Sequence, residues 1–214
     1  MVWQIGFKAP VRLPGGDFLA GDWMAVRVAE LDQDIHEAFQ GGAYAFVFGS
    51  PLSPDAMPTR ATWLTREDPY DFSTLRGATC ISSRLKELVE TLEPDVHQFF
   101  PLELVDRSHK HIENQWIWIT CNRIDSVDCE HSTWVLLWGK LWTPHSDLNS
   151  DQLPLGFDRS LPSKLVFNRT QISSCHFWRD KFIRKGWLLC SDEAADAIRA
   201  ANMVGVNLIE REAV

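Results

Sequence analysis

One pattern constrains this chain most, and it occurs twice. A β-rich run ends on a serine, a short amphipathic run follows, and a second β-rich run closes the unit. The first copy reads Ala78-Thr79-Cys80-Ile81-Ser82, then Arg84 to Leu92, then Gln98 to Leu104. The second reads Trp187-Leu188-Leu189-Cys190-Ser191, then Asp192 to Ala201, then Val206 to Ile209. In both, the serine stands where a period of two gives way to a period of 3.6. That is the N-cap position, where a side-chain oxygen accepts a hydrogen bond from an N–H that the first helical turn leaves unpaired. In the second copy Asp192-Glu193 adds negative charge at the positive end of the helix. The expected class is α+β, with a mixed sheet on which two similar strand–helix–strand units are packed.

The remaining segments fill in around these units. Val2 to Phe7 reads as a strand, and the turn-rich stretch Pro10 to Gly21 as a loop. Met24, Val28, Leu31, Ile35 and Phe39 recur at helical spacing and predict a helix over 22–39, ended by Gly41-Gly42. Ala43 to Phe48 predicts a strand. Residues 50–76 hold four prolines and little periodicity. The expected organisation is therefore an N-terminal segment and connector over 1–75, packed on a main body over 76–214. Within that body, Leu85, Leu88, Val89 and Leu92 share one helix face and Pro94 ends the helix. Trp116 to Cys121 and Trp134 to Trp138 predict strands flanking an acidic turn, and residues 143–163 a long loop. Leu165 to Phe167 and Gln171 to Cys175 predict two further short strands.

Charge and composition narrow the function classes. The net charge is −8 and uneven: residues 1–140 carry 12 basic and 20 acidic side chains, residues 141–214 nine of each. Nucleic-acid binding needs lysine and arginine in excess, so it is disfavoured as a direct role. A basic protein partner is compatible with this balance, because opposite charge speeds encounter. Ten tryptophans stand beside two tyrosines. Most are expected to fill core, and the rest to build a partner surface, where tryptophan is enriched. Five cysteines form no C-x-x-C pair, and no charged-then-apolar leader or 18-residue apolar run is present. A reducing cytoplasm, with no membrane association, is the expectation.

No constellation of catalytic residues stands out. The chain has no G-x-S-x-G elbow and no Walker-type or G-x-G-x-x-G loop. His109/His111, Cys129/His131 and Cys175/His176 each offer two metal ligands, without the spacing of a zinc module. No catalytic, metal or cofactor site is expected. Asp125, Asp128 and Glu130 cluster between two strands, and Asp32, Asp34 and Glu37 form a second acidic group. Each reads either as a solvated face or as a docking surface. The basic stretch Arg179 to Lys185 reads as a solvated face.

A family resemblance gathers these segments. The Pro69-Tyr70-Asp71-Phe72 tack is followed by Ile81-Ser82-Ser83-Arg84-Leu85-Lys86-Glu87-Leu88 and by the Phe99-Phe100-Pro101-Leu102 strand. An aromatic strand then runs into Asp125-Ser126-Val127-Asp128, and the closing strand–Ser191–helix unit completes the order. Over residues 69–210 this resembles immunity family eleven of the bacterial polymorphic toxin systems. The resemblance implies a non-enzymatic cytoplasmic antidote that binds a cognate toxin domain, often a nuclease. It implies no catalytic residues. Asp125, Asp128, Glu130, Asp32, Asp34 and Glu37 are the candidate partner contacts.

Two other readings remain open at this level. A small hydrolase or transferase would use the Asp125/Asp128/Glu130 cluster with His109, His111 or His131, and would need a pocket where they converge. A tryptophan-rich oligomerisation module would bury a large apolar patch between identical subunits.

Overall fold

In a computed structural model of the chain, residues 1–8, 16–32, 40–65, 68–183 and 186–214 are described. The N-terminal strands are β1 (Val2–Phe7), β2 (Phe18–Ala20), β3 (Arg60–Thr62), β4 (Phe72–Leu75) and β5 (Ala78–Ile81). Helix α1 (Ser83–Leu92) leads to β6 (Gln98–Val105), β7 (His111–Ile119), β8 (Arg123–Ile124), β9 (Val135–Leu137) and β10 (Leu141–Thr143). One helical turn, α2 (Arg169–Ile172), precedes β11 (Phe177–Asp180), β12 (Leu188–Ser191), α3 (Asp192–Ala200) and β13 (Val206–Arg211). The class is α+β with mixed sheets.

Among the described residues the strands form a six-stranded sheet in the order β2-β3-β6-β7-β5-β4, a five-stranded sheet in the order β13-β1-β12-β11-β8, and the β9–β10 hairpin. The two sequence units are built alike. β5 and β6 both pair antiparallel with β7, so they run parallel with β7 between them and α1 as their crossover. β12 and β13 both pair antiparallel with β1, which takes the same central place for α3. Each unit is therefore a split strand–helix–strand arrangement. The units occupy separate sheets rather than a common one.

Side-chain alternation along the strands explains how the sheets stack. Cys80, Ile117 and Ile119 turn to one face of the six-stranded sheet, against Val28, Phe46, Leu52, Trp63 and Tyr70 of the N-terminal segment. Ile81 and Trp118 turn to the other face. There they meet Leu85 and Val89 of α1, Ala194, Ala195 and Ile198 of α3, and Phe177, Leu188 and Cys190 of the second sheet. Leu189, Trp178 and Val2 face outward from that sheet onto Trp142, Phe167 and Ile172. Both helices thus lie in the layer between the sheets.

Both predicted caps are present, with nearly the same backbone. Ser82 has φ −70°, ψ 164° and accepts from Leu85 N at 3.3 Å. Ser191 has φ −70°, ψ 167° and accepts from Ala194 N at 3.2 Å.

Several local expectations differ. Over 22–32, the described part of the predicted 22–39 helix, the chain forms turns and isolated bridges, Arg27 to Gly41 and Val28 to Leu52. Val26 and Val28 are buried while Met24 and Leu31 are exposed, so burial there follows a period of two. Residues 33–39 lie outside the described residues. Gly42–Val47 is a 3-10 helix rather than a strand, because Ala45 and Phe46 are buried consecutively instead of alternately. The predicted strand at 171–175 gives way to α2, started by Asn168, whose side chain accepts from Thr170 N and Gln171 N. Of Leu165 to Phe167, only Phe167 makes a β-bridge.

Candidate functional site

The acidic turn 125–131 leaves β8 and is held from below by a buried carboxylate. Asp180 accepts from Ser126 N and Oγ at 2.8 and 2.7 Å, and from Phe182 N and Ile183 N at 2.7 and 3.0 Å. Burial raises its pKa against the pull of these hydrogen bonds. Arg179 is also buried, contrary to the solvated face expected of this basic stretch. Its guanidinium donates to the Gly186 carbonyl and to Thr79 Oγ1 of the other sheet, and burial brings its pKa down to about 10.

Within the turn, the three acids have different jobs. Asp128 organises the backbone, accepting from Glu130 N at 3.1 Å and His131 N at 3.0 Å, with His131 Nδ1 at 2.8 Å and Asn168 Nδ2 at 3.2 Å. The hydrogen bond with His131 holds its carboxyl below the usual range. Asp125 and Glu130 are exposed. Burial raises the Asp125 pKa, opposed by the charge of Lys181. The Cys129 thiol is pushed up by burial and then by Asp125, Asp128, Asp180 and Glu130, so these carboxylates do converge on one turn.

The second patch is bound up differently. Asp32 is ion-paired with Arg123 of β8 at 2.8 Å, and Arg123 also lies over the Phe48 ring at 4.2 Å. The pair brings Asp32 to the strand that leads into Asp125, and it neutralises the Asp32 charge. Asp34 and Glu37 lie outside the described residues.

Chemistry of other kinds finds little geometry. Ser191 Oγ lies 3.0 Å from His176 Nδ1, but the same oxygen caps α3. Ser82 Oγ donates to Asp71 at 2.6 Å while capping α1. His109 and His111 are exposed, and His111 stands 3.6 Å from Glu103 at the surface. His97 and Glu93 pair at 2.7 Å with both side chains sealed in the core. A small cavity lined by Thr62, Trp63, Ser73, Thr74, Leu75, Cys80, Leu104 and Gln115 contains neither histidine nor carboxylate. Among the described residues no group of three His, Cys, Asp or Glu side chains is placed to hold a metal ion. Burial pushes the Cys80 thiol to about 12 and Cys121 to about 11, and raises Cys190 and Cys175 as well, so these thiols stay protonated at neutral pH.

Sequence reasoning missed the polar joints between the sheets and one surface feature. Glu93, the C-cap residue of α1, accepts from His176 N, Phe177 N and Asn122 Nδ2 at 2.6–3.1 Å as well as facing His97. Asp71 accepts from Ser82 Oγ and Val204 N, and Arg84 adds a longer contact at 3.4 Å. These partners are remote in sequence, so no local motif announces them. The surface feature is Trp138. All ten tryptophans are described; nine are buried or half-buried, and Trp138, at the tip of the β9–β10 hairpin, is 78% exposed.

This arrangement is a packed scaffold with charged and aromatic features at its surface. The sequence model of the Immunity protein family (Imm11) matches residues 53–212. The chain belongs to this family. No curated protein matches it. No helix among the described residues is long and apolar enough to cross a membrane.

Proposed function

We propose that the chain is an immunity protein that neutralises a cognate bacterial toxin domain, of the nuclease class, by direct protein–protein contact in the cytoplasm. The observation that carries this reading is the family match over 53–212. The −8 net charge supports it, because an acidic inhibitor is drawn to the basic surface a nuclease uses for its substrate. Asp125 and Glu130 are the steering charges, with Asp128 shaping the turn that presents them. Asp32, Asp34 and Glu37 form the second acidic group. In this reading residues 76–214 carry the immunity-type body, and β1 to β4 of residues 1–75 complete its two large sheets.

Inhibition in this reading is stoichiometric occlusion, with no bond made or broken. The hydrolase reading required a histidine and a carboxylate meeting in a concave site. His131 and Asp128 meet on an exposed turn, and His97 and Glu93 meet inside the core. The test uses the gene next door. A large neighbour ending in a small toxic domain supplies the probe, and that domain should co-purify with this chain and lose toxicity on co-expression. Failure of both would refute the reading.

A further inference from the structure

The β9–β10 hairpin is held rigidly at its base and strained at its tip. Leu136 and Trp142 pair across its strands and pack into the outer core of the five-stranded sheet. Trp142 is 6% exposed, and its backbone N–H donates to the Phe182 carbonyl at 3.0 Å. At the tip, Lys140 N donates to the Leu137 carbonyl at 3.0 Å, closing a turn over Trp138 and Gly139. Both central residues have positive φ, 53° and 69°, which defines a type I′ turn. That turn favours Asn, Asp or Gly at its first central position, since a bulky side chain at positive φ clashes with its own backbone. Nothing lies within 4 Å of where a Gly139 Cβ would stand, so the tip projects into open space.

Trp138 therefore gives the fold neither a favourable turn nor a buried indole. It adds backbone strain and leaves 78% of a large aromatic residue in water. Folding alone does not explain such a residue, whereas tryptophan is among the residues that most often carry binding energy at interfaces. The charge around it in the chain is mixed, with Lys140 exposed at the tip itself, and it is the −8 net charge of the whole chain that suits a basic partner. The loop that leaves the hairpin, residues 144–164, exposes Asp147, Asp151 and Asp158. Its two cationic residues are engaged: Arg159 donates to the Leu148 carbonyl at 2.7 Å, and Lys164 pairs with Glu212 at 2.7 Å.

We infer that Trp138 is the docking anchor of the chain, inserting its indole into an apolar pocket on a cognate toxin domain of net basic charge. This rests on the reading of the chain as a toxin-binding immunity protein, and it names the contact that reading leaves open. The rigid hairpin base lowers the ordering cost of binding, because the anchor is already held in place.

The variant Trp138→Asn tests it, since Asn-Gly is the preferred pair for a type I′ turn. The probe is the toxic C-terminal domain encoded by the neighbouring gene, titrated against wild-type and variant chains by calorimetry. The expected result is a melting temperature equal to or above wild type, with a Kd for that domain weakened about 30-fold or more, the scale of an interface hot spot. An unchanged Kd overturns the anchor while leaving the immunity reading intact. A sharp drop in melting temperature also overturns it, by showing that the indole serves the fold. No binding by the wild-type chain removes both readings. If the wild-type chain alone sediments as a dimer and the variant as a monomer, the anchor serves a second copy and the inference fails.

Discussion

At the scale of single residues, the molecule is joined by carboxylates buried where its two sheets meet. Glu93 is 6% exposed and receives hydrogen bonds from two backbone N–H groups at the start of β11 and from Asn122. Removing such an acceptor leaves buried donors without partners, which costs more than the bonds themselves contribute. Glu93→Ala should therefore lower stability by about 3 kcal/mol or more in urea denaturation. A loss similar to that of an exposed Glu87→Ala control would refute the role. Asp128 carries a pH signature. Its folded pKa lies below the ordinary 3.8, so its contribution is present above that value and is lost as pH falls through the folded pKa. The stability gap between wild type and Asp128→Asn should then narrow on going from pH 6 to pH 3, and a constant gap would contradict the assignment. None of these roles was legible in the sequence. Glu93 and Phe177 are 84 positions apart, and only the fold brings them together.

At the scale of elements, the two serine-capped units were legible because a cap is a local bargain between one hydroxyl and the first helical turn. Ser82→Ala and Ser191→Ala should each cost about 1 kcal/mol. Ser82 should cost the more, because it also donates to the buried Asp71. Toxin neutralisation should survive both changes; abolished neutralisation in a folded Ser191→Ala chain would revive a nucleophilic role. What the repeat could not disclose is its partner strands. The second unit takes its central strand, β1, from the far end of the chain, outside the family match at 53–212. A chain beginning at residue 53 should accordingly fail to give a cooperative unfolding transition, while the whole chain gives one. The expected 22–39 helix failed over its described part for a related reason. Two exposed apolar residues, Met24 and Leu31, imitate a helical stripe, whereas the backbone there pairs with residues 41 and 52.

At the scale of the whole molecule, three apolar layers and two sheets form a base from which charge and one aromatic residue are presented. The class and the family were legible, since segment order survives without any single strong motif. The candidate contacts sort themselves only in three dimensions. Asp128 and Asp32 hold structure together, whereas Asp125 and Glu130 are exposed. Reversing both exposed charges, Asp125→Lys with Glu130→Lys, should slow association with the toxin domain several-fold at low salt and less at high salt. Stopped-flow rates that do not change would remove these residues from the steering role. If the chain inhibits by occupying its toxin, toxin activity titrated against the purified chain reports that occupancy. Activity should fall linearly to zero at a fixed stoichiometric ratio and return when the complex is dissociated. Inactivation by substoichiometric amounts of the chain, or activity untouched by an excess of it, would rule out inhibition by occupancy.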